Sequence, residues 1–271
     1  MNHILLRVHI AVVGFEIERI STAAIQQKAD RVYLISKKEN DKGFPYLLEN
    51  KKRLEGNDIE VIEEKINDIQ NITDILHKIK EIIETEKNNL IYINISCGSN
   101  LSAIAGTISS MMFGSGYHIT PYYVKPEKYL DCENREKSEY KNFPQLRTVG
   151  IKEIIEIVTF PAQLPNSQLI AVLKHLKNQK DCQIGKRELI QYVMKNPEIF
   201  PNYFKETDKT LKKNIKTSPK DLARAKDYAW INQNIINKLK NDWDMIEVKT
   251  IGKYSYIKLT KRGEDMLEYL T

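Results

Sequence analysis

Leu90-Ile-Tyr-Ile-Asn94-Ile-Ser96-Cys97-Gly98-Ser99-Asn100-Leu101-Ser-Ala-Ile104-Ala105 is the stretch that decides the fold. Residues 90–95 are apolar on both faces and predict a buried strand. Leu101, Ile104, Ala105, Ile108, Met111 and Met112 recur at helical spacing and predict a helix over 101–113. Between the two stands a loop of small and hydroxylated residues. A strand passing through such a loop into a helix is the building unit of a parallel sheet, whose ligands bind beyond the carboxyl ends of its strands.

The same alternation extends in both directions. An apolar strand over residues 4–13 ends at Gly14 and is followed by helical spacing over 16–29. Strands are predicted at 31–35, 59–62, 117–124 and 152–160, with helices at 44–54 and 68–87. The last of these helices carries Ile69, Ile72, Ile75, Ile79, Ile82 and Ile83 along one face. Residues 126–149 are polar and charged and read as a loop. Strands alternating with helices imply a Rossmann-like α/β fold with a mostly parallel sheet. The G-x-G-x-x-G signature is missing, so a dinucleotide cofactor is not supported.

The grammar changes after Pro161-Ala-Gln-Leu-Pro165, where two prolines cannot continue a helix or a central strand. The expected domains are therefore 1–160 and 161–271. In the second, helices are predicted at 167–178, capped by Ser167, and at 186–195. A basic insertion over 196–224 precedes a long helix at 225–241, with Trp230, Ile231, Ile235, Ile236 and Leu239 inward. Strands at 245–248 and 254–259 flank a turn, and a helix at 261–270 closes the chain. Three helices and a β-hairpin in this order are the winged helix-turn-helix arrangement.

Charge separates the two regions. The 271-residue chain carries a formal net charge of +6. Residues 161–271 hold 21 Lys and Arg against 13 Asp and Glu, so the remainder is slightly acidic. A polyanion is the expected partner of the C-terminal region. Its candidate contacts are Lys226, Tyr228, Asn232 and Gln233 on the long helix and Lys249, Lys253 and Tyr254 at the hairpin. Asn and Gln bond adenine edges, while Lys neutralises phosphate. Cys97, Cys132 and Cys182 are widely spaced, which fits a reducing cytoplasm and argues against structural zinc. No apolar run reaches the ~18 residues of a membrane span. No metal and no cofactor are expected.

The N-terminal region offers a pair of loops as candidate ligand sites. Gly14, Phe15 and Glu16 follow the first strand, where glycine permits a sharp turn and a following helix N-terminus offers free amides to an anion. Ser96, Cys97, Gly98, Ser99 and Asn100 follow the fourth strand and supply hydroxyls and amides suited to a phosphate or ribose. Ser99 or Asn100 also suits a plain helix N-cap, and Cys97 has no histidine beside it and suits a packing role.

These motifs resemble those of the CARF domain, the CRISPR-associated Rossmann fold. The chain as a whole is similar to the archaeal CARF–winged-helix transcriptional regulators. The resemblance implies a homodimer whose paired loops hold a cyclic oligoadenylate, with tetra-adenylate favoured, across the two-fold axis. It places Gly14, Phe15, Glu16, Ser96, Cys97, Gly98, Ser99 and Asn100 at that ligand, and double-stranded DNA on the winged helix. Many CARF loops end this motif with Thr and a basic residue, whereas Ser99-Asn100 is uncharged. A nucleotide-controlled DNA-binding regulator is therefore the leading expectation. Metal-independent cleavage of the ring is the alternative, and a structural DNA-binding dimer is the third reading.

Overall fold

The computed structural model describes residues 5–38, 42–114, 117–131, 140–160, 162–210, 219–252 and 254–270. The chain divides into two compact units, Met1–Gln163 and Leu164–Thr271.

The first unit is built on a six-stranded sheet in the order β3-β2-β1-β4-β5-β6. Its strands are β1 (Arg7–Val12), β2 (Arg31–Lys37), β3 (Glu60–Ile66), β4 (Leu90–Asn94), β5 (His118–Tyr129) and β6 (Thr148–Glu156). The first five are parallel and β6 runs antiparallel to β5. Ile10 of β1 stands opposite Tyr33 of β2 on one side and Ile93 of β4 on the other. The chain therefore winds outward in both directions from β1, and the β1/β4 junction is the topological switch point.

The helices are α1 (Ser21–Gln26), α2 (Phe44–Glu55), α3 (Ile72–Thr85) and α4 (Asn100–Phe113). Right-handed crossovers place α1 and α2 on one face and α3 and α4 on the other. Ala11, Val13, Val32 and Leu34 accordingly pack with Ile17, Ile20, Tyr46 and Leu47. On the other face Gly106 lets α4 approach Ile93 and Ile95 so closely that an added Cβ would stand 2.9 and 3.0 Å from their methyl groups. β1, β2 and β4 are covered on both faces, which is why they read as continuous apolar runs.

Three expectations need correction. Helical spacing from residue 16 does not give a helix there, because α1 begins only at Ser21. Side-chain bonds hold the preceding segment: Arg19 Nε donates to the Val124 carbonyl at 2.9 Å, and Glu16 and Glu18 accept from Thr148 and from the Gly150 amide. The stretch after Pro126 is not all loop. β5 continues to Tyr129 and pairs with β6 across a register shift at Lys125/Pro126, an irregularity that tolerates a proline without an N–H. β6 consequently starts at Thr148 rather than at residue 152.

The second unit contains α5 (Ser167–Lys177), β7 (Gln183–Gly185), α6 (Lys186–Lys195), α7 (Pro201–Thr210), α8 (Pro219–Ile231), β8 (Ile246–Ile251), β9 (Tyr254–Leu259) and α9 (Lys261–Leu270). The strands form a sheet in the order β7-β9-β8, completing a winged helix. Asn166, not Ser167, caps α5, its Oδ1 accepting from the Leu169 amide at 3.0 Å. The basic insertion contains α7 and the start of α8, with Pro201 and Pro219 each at a first helical position, where the missing N–H costs nothing. α8 runs on through π-helical turns at Asn232–Ile236 and Lys238–Asp242. Trp230, Ile231, Ile235, Ile236 and Leu239 are buried, as their spacing predicts. Among the described residues no helix is long and apolar enough to cross a membrane.

Candidate functional site

Gly14 and Gly98 meet at the switch point. A Cβ on Gly14 would stand 2.9 Å from the Gly98 Cα and 3.1 Å from its nitrogen. Gly98 itself has φ +77°, and a Cβ there would strike Ser102 Oγ at 2.6 Å and Val12 Cβ at 3.2 Å. Two backbone turns thus touch where side chains would hold them apart.

Asn94, the last residue of β4, organises the second turn. Its Oδ1 accepts from the Ser96 amide at 2.9 Å and from the Ser96 hydroxyl at 2.7 Å. Its Nδ2 donates to the Arg19 carbonyl at 2.7 Å, linking both loops. Ser96 Oγ also accepts from the Val124 amide at 2.6 Å. Ser99 caps α4, accepting from the Ser102 amide at 3.2 Å while Ser102 Oγ accepts from the Ser99 amide at 3.1 Å. This reciprocal pair leaves Asn100 exposed at the first helical position.

A cleft of about 540 Å³ opens over these turns. Gly14, Phe15, Gly98 and Ser99 line it, together with Lys37, Lys42, Asp68, Ile69 and Gln70 from the loops after β2 and β3. The exposed Phe15 ring packs edge-on against Tyr46, with centroids 5.4 Å apart.

Not every expected ligand contact reaches this cleft. Cys97 is buried beneath the loop with its Sγ 3.6 Å from Asn94 Oδ1, and burial pushes the thiol pKa well up, so it packs rather than contacts a ligand. Glu16 is bonded to Thr148 and lies 3.6 Å from Arg19. Burial raises its pKa, opposed by Thr148 and by the charges of Arg19 and Arg147. It anchors β6 to the first loop. Ser96 is likewise consumed by Asn94 and Val124.

In the second unit Tyr228 is shared by two grooves. One, of about 620 Å³, is lined by Gly185, Lys186, Arg187, Glu188, Tyr254, Ser255 and Tyr256, and the other, of about 380 Å³, by Arg187, Ile190, Gln191, Met194 and Asp227. Together they join α6, α8 and the wing strand β9. Tyr254 and Gln233 are exposed, Asn232 is half-buried, and Lys249 pairs with Glu247 at 2.8 Å. Lys226 has its Nζ buried and, among the described residues, without a hydrogen-bond partner, so it is not presented to a polyanion. Lys253 lies outside the described residues.

Residues 7–129 match the HFX_2341_N-like N-terminal domain, and residues 168–271 match the DUF6293 C-terminal winged helix domain. The chain joins an HFX_2341_N-like domain to a DUF6293 winged helix domain. The uncharacterized protein MJ1513 of Methanocaldococcus jannaschii is 29% identical, covering 97% of this chain and 96% of its own. Among solved structures, Enterococcus italicus Csm6 bound to cyclic hexa-2'-fluoro-hexa-dAMP aligns at 12% identity and TM-score 0.42, over 85% of this chain and 55% of that one. Can2 from Sulfobacillus thermosulfidooxidans in complex with cyclic tetra-adenylate aligns at 13% identity and TM-score 0.38, over 97% and 63%. This chain therefore spans less than two thirds of either structure.

Sequence reading of the HFX_2341_N-like domain missed Lys37, Lys42 and Gln70. The available signal was positional, since every loop after a parallel strand reaches the same edge of the sheet. In the DUF6293 domain it missed Lys186, Arg187 and Tyr256. Gln183–Gly185 is too short a strand to announce itself, so nothing tied residues 183–187 to the wing until β7 paired with β9.

Proposed function

We propose that this chain is a DNA-binding regulator whose winged helix domain answers to a cyclic oligoadenylate bound by paired N-terminal domains. The observation that carries the reading is the cleft over the Gly14–Gly98 contact, at the switch point of a sheet fused to a winged helix. The resemblance of the Asn94–Asn100 loop to the CARF motif supplies the ligand class. Backbone amides and Ser99 at the cleft suit phosphate and ribose oxygens, and Phe15 offers a face to a base. Homodimer formation duplicates the loops about a two-fold axis, which suits a symmetric ring. Leu101 and Ile104, exposed along α4 beside the site, are the apolar positions such a contact would cover.

On the winged helix, Tyr228, Gln233 and Tyr254 with Lys186 and Arg187 form the DNA-facing set. The ligand acts only if it binds two states of the dimer differently, and the coupling is then reciprocal. A typical coupling of about 1–3 kcal/mol changes DNA affinity roughly 5–150-fold. The test is DNA binding at fixed salt with and without saturating cyclic tetra-adenylate, with sedimentation to establish the dimer. Equal DNA affinity in a protein that holds the ligand refutes control of affinity.

Ring cleavage is the second reading, and Lys37 and Lys42 favour it by bringing positive charge to a loop that lacks its own. A lysine near a phosphate stabilises charge as a 2′-hydroxyl attacks the adjacent phosphorus and the bond to the 5′-oxygen breaks, the proton lost by the 2′-hydroxyl ending on the 5′-hydroxyl and a 2′,3′-cyclic phosphate remaining. Conversion of labelled ring to linear product separates this reading from sensing alone.

A further inference from the structure

The cleft of the first unit is lined by residues from four loops, and the two lysines among them come from the loop after β2, outside both sequence motifs. Lys37 ends β2, and Lys42 lies two residues before α2. Nearby lysines around β3 are neutralised: Lys51 pairs with Glu63 at 2.7 Å, Lys65 with Glu63 at 3.6 Å and Lys78 with Glu64 at 3.0 Å. Among the described residues Lys37 and Lys42 have no such carboxylate. The acidic residue of the cleft is Asp68, whose Oδ1 accepts from the Gln70 amide at 2.9 Å. Among the described residues the cleft therefore carries two lysines against one carboxylate over a floor made of glycine backbone, and a concave site with an excess of one sign concentrates the opposite charge.

We infer that Lys37 and Lys42 form the phosphodiester subsite of this cleft, with Phe15 as the flanking platform for a base. This rests on the nucleotide reading above and deepens it, because it moves the charge recognition from the loop after β4 to the loop after β2. The Gly14–Gly98 contact keeps the floor low enough for a backbone phosphate to approach. Tyr46 packs edge-on against the Phe15 ring at the rim. The loop after β4 carries no charged side chain, and its Asn94, Ser96 and Ser102 are engaged in hydrogen bonds within the fold.

The test uses the full chain, K37Q, K42Q and the double variant, with thermal unfolding to confirm that these surface changes leave the fold intact. Two probes are applied: labelled cyclic tetra-adenylate, and inorganic pyrophosphate followed through the Gly98 and Ser99 amide resonances. The expected result is a loss of roughly tenfold or more in ring affinity per lysine, with the salt slope falling by about 0.7 for each phosphate contact removed. Pyrophosphate shifts seen in the wild type should vanish in the double variant. Ring binding with unchanged affinity and unchanged salt slope in K37Q/K42Q overturns the inference, as does a wild type that binds neither probe. A wild type that binds pyrophosphate through these lysines but no cyclic ring supports the subsite and refutes the ligand assigned under the proposed function.

Discussion

An alanine at Gly14 puts a methyl carbon 2.9 Å from the Cα of Gly98 and 3.3 Å from its carbonyl oxygen. Both obstacles are backbone, so no side chain can rotate away, and one loop must move. Over-packing of this kind costs about 1–3 kcal/mol. Gly98→Ala adds a second cost. At φ +77° an L-residue loses a further ~1–2 kcal/mol, and Ser102 Oγ and Val12 block the new methyl. The expected ordering is therefore Gly98→Ala at about 2–5 kcal/mol and Gly14→Ala at about 1–3 kcal/mol. Gly252→Ala is the control. It has φ +60° and nothing within 4 Å, so only the conformational cost of about 1–2 kcal/mol applies. Both tryptophans, Trp230 and Trp243, lie in the second unit, so their fluorescence in urea tracks the winged helix alone. Amide exchange on β1 and β4 reports the first unit. Gly14→Ala should lower exchange protection in the first unit, leave the tryptophan transition in place and weaken ligand binding. A Gly14→Ala protein within about 0.5 kcal/mol of wild type, with unchanged ligand affinity, would refute the claim that this close approach shapes the site.

Three further outcomes are expected. Glu86 is 2% exposed and accepts from Arg31 at 2.5 Å, Tyr33 at 2.6 Å and Asn89 at 2.6 Å, so Glu86→Ala should cost about 1–3 kcal/mol in chemical denaturation by leaving the Tyr33 hydroxyl without its acceptor, while Arg31 keeps Glu60 at 2.8 Å. Burial alone would raise the Glu86 pKa, but the hydrogen bonds from Tyr33, Arg31 and Asn89 outweigh it and hold the carboxyl below its ordinary value. Its stabilisation is therefore full above the unfolded-state value of about 4.3 and disappears as pH falls through the lowered folded value, a loss that acid titration should find reduced in Glu86→Gln. Ser99→Ala should cost about 1 kcal/mol by removing the α4 cap, whereas Asn100→Ala should leave the melting temperature unchanged and lower ligand affinity, as calorimetry on both variants would show. Arg187→Ala should weaken DNA binding equally across sequences and reduce the slope of log affinity against log salt by about 0.9, measured by fluorescence anisotropy.

The HFX_2341_N-like domain was legible because its central strands β1, β2 and β4 are buried on both faces and its helices on one. Continuous apolar runs and the isoleucine stripe of α3 leave few other folds open, and alternation of the two gives the parallel order. Boundaries failed where side-chain bonds across the fold override local spacing, as at Glu16–Arg19. The winged helix was legible from helix order and the hairpin, but β7 is only three residues long and gains its identity from its partner β9.

The site was less legible than the fold. Local chemistry points to the glycine loops after β1 and β4, although a strand-end glycine also serves a plain turn and a hydroxyl before a helix also serves as an N-cap, the role Ser99 takes. Sequence alone cannot separate a side chain that faces a ligand from one that holds the loop, and Cys97, Ser96 and Glu16 proved to hold it. It also cannot bring Lys37 and Lys42 to Gly98, more than fifty residues away along the chain. The sequence by itself determined the strand–helix alternation of the first unit and the two turns at the switch point, since these follow from periodicity and backbone freedom. The tertiary structure decided which charges surround those turns, because parallel packing places every strand's carboxyl end on one edge regardless of its distance in the chain.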